Sequence, residues 1–209
     1  MNRKIIVIGL TGQIGAGKGV LANILVEEFG FIYFSLSDRV RKIATAREQG
    51  PRDEQTGREF LQNIGNDARI QFGGEALAEL TAGCAFADLA GGKDRIIFDG
   101  IRNPNEVSFL KRIPGFKLIA VIATQEKRFE NVIARDRPTD PKSWKDFRRL
   151  DDRDLGIGEN ALGQNVMQCI EMADLTLLNA DTKENFTIKV QGLANKLVGQ
   201  NRRKVARRV

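Results

Sequence analysis

The sequence contains no histidine, so it lacks the residue that most often serves as a general base or a zinc ligand. Any general base must therefore be a carboxylate, or the reaction must need none. The two cysteines, Cys84 and Cys169, stand apart, without a Cys-x-x-Cys pair or a metal-ligand spacing. This excludes a disulfide framework and favours a reducing, cytoplasmic location.

Long apolar runs are also missing, since none approaches the roughly 20 residues that a membrane span requires. The N-terminus shows no signal-peptide pattern, and its first apolar run is as short as a strand. Hydrophobic residues make up 42% of the 209 positions and charged residues 29%, as in ordinary soluble proteins. We therefore predict one soluble domain over residues 1–199, long enough to bury a sizeable core.

The net charge of +6 is unevenly placed, because residues 200–209 carry most of the excess. Such a basic tail can bind nucleic acid, or it can simply be a solvated terminus, and the sequence leaves both readings open. The remaining positive charge suits an anionic small ligand such as a polyphosphate.

The strongest pattern joins a short strand, residues 5–8, to a glycine-rich loop and then to a helix that starts at Lys18. Glycines allow successive backbone N–H groups to turn towards phosphate oxygens, and the helix N-terminus adds a positive dipole end. Lys18 can then reach the β- and γ-phosphates as a point charge. The sequence therefore predicts ATP binding by Gly12, Gln13, Ile14, Gly15, Ala16, Gly17, Lys18, Gly19 and Val20.

This loop departs from the usual pattern at Gly19, where a Ser or Thr hydroxyl normally holds Mg²⁺. Another carboxylate must then help to bind the metal. Asp99 ends a predicted third strand, residues 95–100, at the sheet edge where α/β proteins bind ligands. We predict that Asp99 is both a catalytic residue and the protein ligand of Mg²⁺.

Further strands are predicted at residues 31–34, 116–123 and 175–178, each separated from the next by helical patterns. Five strands that alternate with helices indicate an α/β fold of three layers, with a parallel sheet covered by helices on both faces. Together with the loop, this predicts the P-loop NTPase fold. No internal repeat is visible.

The glycine-rich loop has a sequence pattern that resembles the loop of adenylate kinases, namely Gly12-x-x-Gly15-x-Gly17-Lys18-Gly19. Over nearly its whole length the chain resembles nucleoside monophosphate kinases and the related dephospho-coenzyme-A-kinase-like P-loop kinases. The resemblance implies that Asp38 and Arg41 bind the acceptor phosphate, because they match a Ser/Thr-x-Asp-x-x-Arg segment of those enzymes.

The stretch from Asp99 to Glu106 is similar to the Asp-Gly-x-Pro-Arg…Gln segment of the same kinases. Arg102 matches the arginine that holds the acceptor phosphate. Glu106 stands where a glutamine reads the acceptor base, although a carboxylate can only accept hydrogen bonds. The resemblance thus implies substrate contacts for Arg102 and Glu106.

An acceptor-binding helical insertion is expected at about residues 37–90. In it Arg58, Gln62, Asn66 and Arg69 share one helix face, which is either a solvated face or, as the resemblance implies, a source of acceptor contacts. A lid is expected at about residues 136–158, although its dense charge equally fits a solvated helix. The resemblance makes Arg135 and Arg137 the arginines that act on the donor phosphates.

The implied activity is transfer of the γ-phosphoryl group of ATP, with Mg²⁺, to a nucleoside monophosphate or a similar phosphate-bearing acceptor. A phosphate monoester, with a second pKa of about 6, is mostly ionised at neutral pH and needs no base, which agrees with the missing histidine. Two alternatives remain. One is a kinase for a hydroxyl acceptor such as dephospho-coenzyme A, with Asp38 as base; the other is a P-loop NTPase switch that binds nucleic acid through its tail.

Overall fold

The computed structural model describes residues 5–46 and 57–199. Its centre is a parallel sheet with the strand order β2-β3-β1-β4-β5. The predicted basic tail lies outside the described residues. The strands are β1 (Ile6–Thr11), β2 (Ile32–Ser35), β3 (Arg95–Ile101), β4 (Phe116–Ile122) and β5 (Leu175–Leu178).

Helices connect the strands and cover both faces of the sheet, which confirms the predicted fold class. Among the described residues, no helix is both long and apolar enough to cross a membrane. The helices are α1 (Lys18–Glu27), α2 (Leu36–Ala46), α3 (Gly57–Phe72), α4 (Ala76–Ala90), α5 (Pro104–Leu110), α6 (Gln125–Arg135), α7 (Trp144–Leu155), α8 (Val166–Glu171) and α9 (Lys183–Gly199).

The strand pleat divides the core into two parts, because successive side chains point to opposite faces. Val7 and Phe98 pack with apolar side chains of α2, α3, α4 and α5 on one face. Ile8 and Ile97 pack with α1 and α9 on the other face. A third, smaller cluster joins Ile14 of the glycine-rich loop to side chains of α6 and α7.

Local signals located most elements, although several strand ends differ from the prediction by one to three residues. β1 continues to Thr11, because this residue still pairs with β3 and β4. Helix α2 is capped by Ser35, whose hydroxyl accepts from the Asp38 N–H (3.2 Å). Helix α9 is capped by Thr182, whose hydroxyl accepts from the Asn185 N–H (3.3 Å).

Three of these helices, α2, α3 and α4, lie between β2 and β3 and occupy the place of the predicted insertion. The polar stripe predicted on one of them is real, since Arg58, Gln62, Asn66 and Arg69 all lie on α3. Its inner members are not solvated, because Gln62 and Arg69 are buried. The division into a domain, an insertion and a lid stays a prediction.

Candidate active site

The glycine-rich loop runs from the end of β1 to the first turn of α1, as the sequence predicts. Gly12, Gly15 and Gly17 all have positive φ angles, of 134°, 76° and 108°. A Cβ atom at Gly12 would come within 2.1 Å of the Val121 carbonyl oxygen. Only glycine therefore fits the path of this loop.

Side chains outside the loop bind its carbonyl oxygens. Asn131 donates to the Gly15 oxygen (2.8 Å), and Asn179 donates to the Ala16 oxygen (3.0 Å). The carbonyl and the N–H of one peptide point in opposite directions, so the Gly17 N–H, opposite the Ala16 oxygen, is oriented for an anion, whereas the Ala16 N–H already donates to the Gln13 oxygen (3.3 Å). The N-terminus of α1 adds its positive dipole end at the same place.

Lys18 lies over this loop and donates from Nζ to the carbonyl oxygens of Gly12 (2.5 Å) and Gln13 (3.0 Å). Burial lowers the pKa of Lys18 to about 8, while the neighbouring carboxylates of Asp99 and Asp154 oppose this shift. Both carboxylates therefore lie close enough to Lys18 to act on its charge.

Asp99 lies on β3, beside Leu10 of β1, just before the loop begins. Its Oδ2 atom accepts a hydrogen bond from the Tyr33 hydroxyl (2.6 Å), and burial together with Asp99 raises the pKa of Tyr33. Its Oδ1 atom is buried and has no hydrogen-bond partner among the described residues.

A carboxylate oxygen without a hydrogen-bond partner, close to the glycine-rich loop (hereafter the phosphate loop), suits one ligand position of a divalent cation. Phosphate oxygens and water would supply the other ligands of that cation. Within the described ranges, no group of three acidic or sulfur side chains could hold a metal by itself. A Cβ atom at Gly19 would meet no atom within 4 Å, so a hydroxyl side chain would fit there even though the sequence lacks one.

A cleft of about 560 Å³, its open mouth included, lies between α2, α3 and the segment after β3. Its polar lining includes four arginines: Arg41, Arg58, Arg69 and Arg102. Apolar side chains form the remaining wall: Leu36, Val40, Leu61 and Leu77. The cleft thus combines cationic groups with a surface suited to a ring or an aliphatic group.

Asp154 of α7 is the buried carboxylate that holds two of these arginines. It accepts from Arg102 (3.2 Å), Arg58 (3.3 Å) and the Gln62 amide (2.9 Å). Although burial opposes it, Arg102, Arg58, Lys18 and this amide hold the pKa of Asp154 below its usual range. Burial also lowers the pKa of Arg58, and its Nε atom has no partner within the described part of the chain.

Glu106 takes a supporting position, because it is fully buried and its oxygens are occupied. Oε1 accepts from Arg69 (2.9 Å), and Oε2 accepts from the backbone N–H groups of Arg102 (2.8 Å) and Asn103 (3.1 Å). With Asn103 it forms the capping box of α5, a helix that the sequence prediction missed. Direct contact between Glu106 and an acceptor would require these bonds to break.

The other predicted contacts lie at the surface. Asp38 and Arg41 form an ion pair (2.6 Å) with both side chains more than half exposed. Arg135 donates two hydrogen bonds to buried Asp140 (2.6 and 2.7 Å), and its charge acts on Arg58. Arg137 is exposed on the segment after α6.

A buried network that the sequence did not reveal ties α6 and α7 to the phosphate loop. Arg128 forms a two-bond ion pair with Asp151 and also donates to the Ile14 carbonyl (3.4 Å). Asp151 accepts further hydrogen bonds from the amides of Gln13 (3.2 Å) and Gln125 (3.0 Å). Arg128 and Asp151 sat in charged helical stretches, and nothing in their spacing distinguished them from solvated residues.

Sequence comparison finds relatives of nearly the same length. A UPF0200 protein of Hyperthermus butylicus is 32% identical over 195 residues, which cover 93% of this chain and 96% of the relative. A UPF0200 protein of Thermococcus gammatolerans is 32% identical over 203 residues, which cover 94% and 98%. No protein-family model matches the chain.

Comparison of structures identifies the fold. Shikimate kinase from Bacteroides thetaiotaomicron superposes with a TM-score of 0.52 at 16% identity, covering 93% of this chain and 98% of that one. A gluconokinase from Sinorhizobium meliloti gives 0.51 at 12% identity, covering 97% and 99%. The chain therefore has the fold of P-loop kinases, and the narrower likeness to nucleoside monophosphate kinases stays a hypothesis.

Proposed function

The chain belongs to the UPF0200 family, and from its site we propose an ATP-dependent kinase that phosphorylates a small molecule. The acceptor in this proposal is a nucleoside monophosphate or a similar phosphate-bearing compound. The fold supports the proposal, since proteins named shikimate kinase and gluconokinase share it.

One observation carries the proposal: the glycine-rich loop and the arginine-lined cleft are adjacent. Asp99 on β3 lies beside Leu10, close to the point where the loop leaves β1, and Gly100 and Arg102, which follow Asp99 along the chain, line the cleft. Phosphoryl transfer requires two bound reactants held in line and neutralisation of charge more than it requires covalent chemistry. Two adjacent anion sites meet both needs.

In this proposal ATP binds with its phosphates on residues 12–20, where loop N–H groups and Lys18 hold the β- and γ-phosphates. Arg102 and Arg41 hold the acceptor phosphate, and Arg58 and Arg69 line the same cleft. An ionised phosphate acceptor needs no base to remove a proton, so a chain without histidine can carry out the reaction.

Asp99 is the residue proposed to hold Mg²⁺, because its free oxygen fits a cation beside the phosphates. The ion would neutralise part of the phosphate charge. Segment 136–158 is proposed as the lid, with Arg135 and Arg137 acting on the donor phosphates as charge develops. Within this segment α7 bonds to both the loop and the cleft through Asp151 and Asp154.

The test is a panel of acceptors with ATP and Mg²⁺, read for ADP and for a phosphorylated product. It includes nucleoside monophosphates, deoxynucleoside monophosphates and dephospho-coenzyme A. We expect ADP release with at least one phosphate-bearing nucleotide. Product with dephospho-coenzyme A alone would shift the assignment to a hydroxyl kinase. ATP hydrolysis stimulated by DNA or RNA, without any phosphorylated small molecule, would contradict a kinase.

A further inference from the structure

Two buried glutamines line the cleft: Gln62 of α3 and Gln164, which precedes α8. A glutamine amide has a donor end and an acceptor end, and its hydrogen-bond partners decide which end faces the ligand. In both glutamines one end of the side-chain amide is hydrogen-bonded to a charged side chain. This bond fixes whether the donor or the acceptor end of the amide is left for a ligand.

Gln62 presents an acceptor. Its Nε2 atom donates to Asp154 Oδ1 (2.9 Å). Since Asp154 stays ionised, it can only accept, and the Gln62 amide cannot be turned around. The Gln62 Oε1 atom is then left buried, with no hydrogen-bond partner among the residues described. A buried acceptor in a cleft suits a ligand that brings an N–H donor.

Gln164 presents a donor. Its Oε1 atom accepts from Nη1 of Arg102 (3.2 Å), and a guanidinium can only donate. The Gln164 Nε2 group is therefore the end available to a ligand. One chain of hydrogen bonds links the two amides through Asp154 and Arg102, so both free ends belong to one rigid unit.

We propose that Gln62 and Gln164 read the edge of a nucleobase on the acceptor. Gln62 Oε1 accepts from an amino or ring N–H of the base, and Gln164 Nε2 donates to the ring nitrogen or carbonyl beside it. The apolar wall of Leu36, Val40 and Leu77 suits the faces of a planar ring. The inference rests on the proposed kinase function for the phosphate of the acceptor, and it adds that a nucleobase is recognised and which two residues recognise it.

The test compares each nucleoside monophosphate with ribose 5-phosphate, which has the phosphate and the sugar but no base. We expect kcat/KM for the preferred monophosphate to exceed that for ribose 5-phosphate by about 100-fold. Gln164→Glu keeps the bond from Arg102 and turns the free end from donor to acceptor. It should lower this preference by about 10- to 100-fold, the usual cost of leaving a buried hydrogen-bonding group of the ligand without its partner.

Gln168→Glu is the matched control, because Gln168 is an exposed glutamine on α8 and the charge change is the same. Gln62→Met provides a second variant that removes the acceptor while keeping the volume of the side chain. Circular dichroism and thermal unfolding show whether each variant is folded before its kinetics are compared.

Calorimetry without ATP separates this inference from the kinase proposal. The subsite is supported if the wild-type protein binds a nucleoside monophosphate more tightly than ribose 5-phosphate, and if Gln164→Glu and Gln62→Met lose this difference while Gln168→Glu keeps it. This result would support the subsite even if no ADP forms with any acceptor. Equal losses for the monophosphates and ribose 5-phosphate would overturn the subsite, since the glutamines would then only support Arg102. Equal binding of both ligands by the wild-type protein would overturn it as well.

Discussion

The phosphate loop and the arginine cleft both suit anions, yet they are stabilised by different interactions. The loop is shaped by glycines and by side-chain donors that bind its carbonyl oxygens. In the cleft, charges of opposite sign balance one another: Asp154 binds Arg58 and Arg102, and Glu106 binds Arg69. The charged donor of the loop, Lys18, is bonded only to neutral carbonyl oxygens, whereas the arginines of the cleft are compensated by carboxylates.

This difference predicts different costs of binding. A phosphate entering the loop draws Lys18 Nζ away from two neutral carbonyl oxygens and breaks no ion pair there, so we expect little to rearrange. An anion entering the cleft competes with carboxylates for the arginines of the cleft, so the net electrostatic attraction for the anion is weak. The shape of the cleft must then contribute to the selectivity between ligands. Helix α7 links the two sites, because Asp151 binds the loop network and Asp154, one turn later, binds the cleft.

Removing the loop-side carboxylate of α7 should have the largest effect on stability. Asp151→Asn leaves the buried guanidinium of Arg128 without its counter-charge. We expect the free energy of unfolding to fall by about 3–5 kcal/mol, the usual cost of breaking a buried pair. Urea denaturation measures it, with Asp152→Asn, a more exposed neighbour, as control. Equal stability of the two variants would show that the network does not support the loop.

Lys18→Ala should have the largest effect on turnover. The loss of the cation over the loop should remove at least ~3 kcal/mol of transition-state stabilisation, by analogy with a lost oxyanion donor. Steady-state kinetics with ATP measure the loss, and Lys117→Ala, an exposed lysine on β4, is the control. Wild-type turnover by folded Lys18→Ala would rule out the phosphate-loop role.

The cleft variants Arg102→Ala and Arg41→Ala should act on the acceptor alone. We expect a fall in acceptor kcat/KM of about 10- to 100-fold, because a charged hydrogen bond contributes ~1.5–3 kcal/mol. The effect should be smaller for exposed Arg41 than for Arg102. Calorimetry should find ATP affinity unchanged, with Arg148→Ala as an exposed control. Loss of ATP binding in both variants would show that the two sites are not separate.

Asp99→Asn should raise the Mg²⁺ concentration needed for half-maximal activity, by about tenfold if one charged ligand is lost. Gly19→Ser should reverse part of this change, because the added side chain meets open space and brings the hydroxyl that the loop lacks. Magnesium titrations of the single and double variants provide the measurement. If Asp99→Asn needs the same Mg²⁺ concentration as the wild-type protein, Asp99 does not bind the metal and serves only as the hydrogen-bond partner of Tyr33.

The smallest expected effect is on pH dependence. Because burial lowers the pKa of Lys18 to about 8, the free enzyme loses this charge as the pH rises past that value. We expect kcat/KM for ATP to decline above about pH 8. Asp99 raises the pKa of Lys18, so Asp99→Asn should move the decline to lower pH. If kcat/KM declines at the same pH in Asp99→Asn as in the wild-type protein, a group other than Lys18 causes the decline.

Local patterns were sufficient for much of the fold. Glycine spacing and a β-branched run located the loop, and the fifth predicted strand coincides with β5. Thr124, a residue type favoured at helix N-caps, caps α6 by accepting from the Lys127 N–H (3.3 Å). Such signals can be read directly from the sequence because the interacting groups lie within a few residues of one another.

The tertiary structure alone decided which charges meet. Asp154 looked like one of many solvated charges, yet its partners Arg58 and Arg102 lie 96 and 52 positions away along the chain. Arg149, within the segment expected to form the lid, pairs at the surface with Glu59 (2.7 Å). A charge is buried or exposed according to how helices pack across the sheet, and residue spacing along one helix does not contain that information.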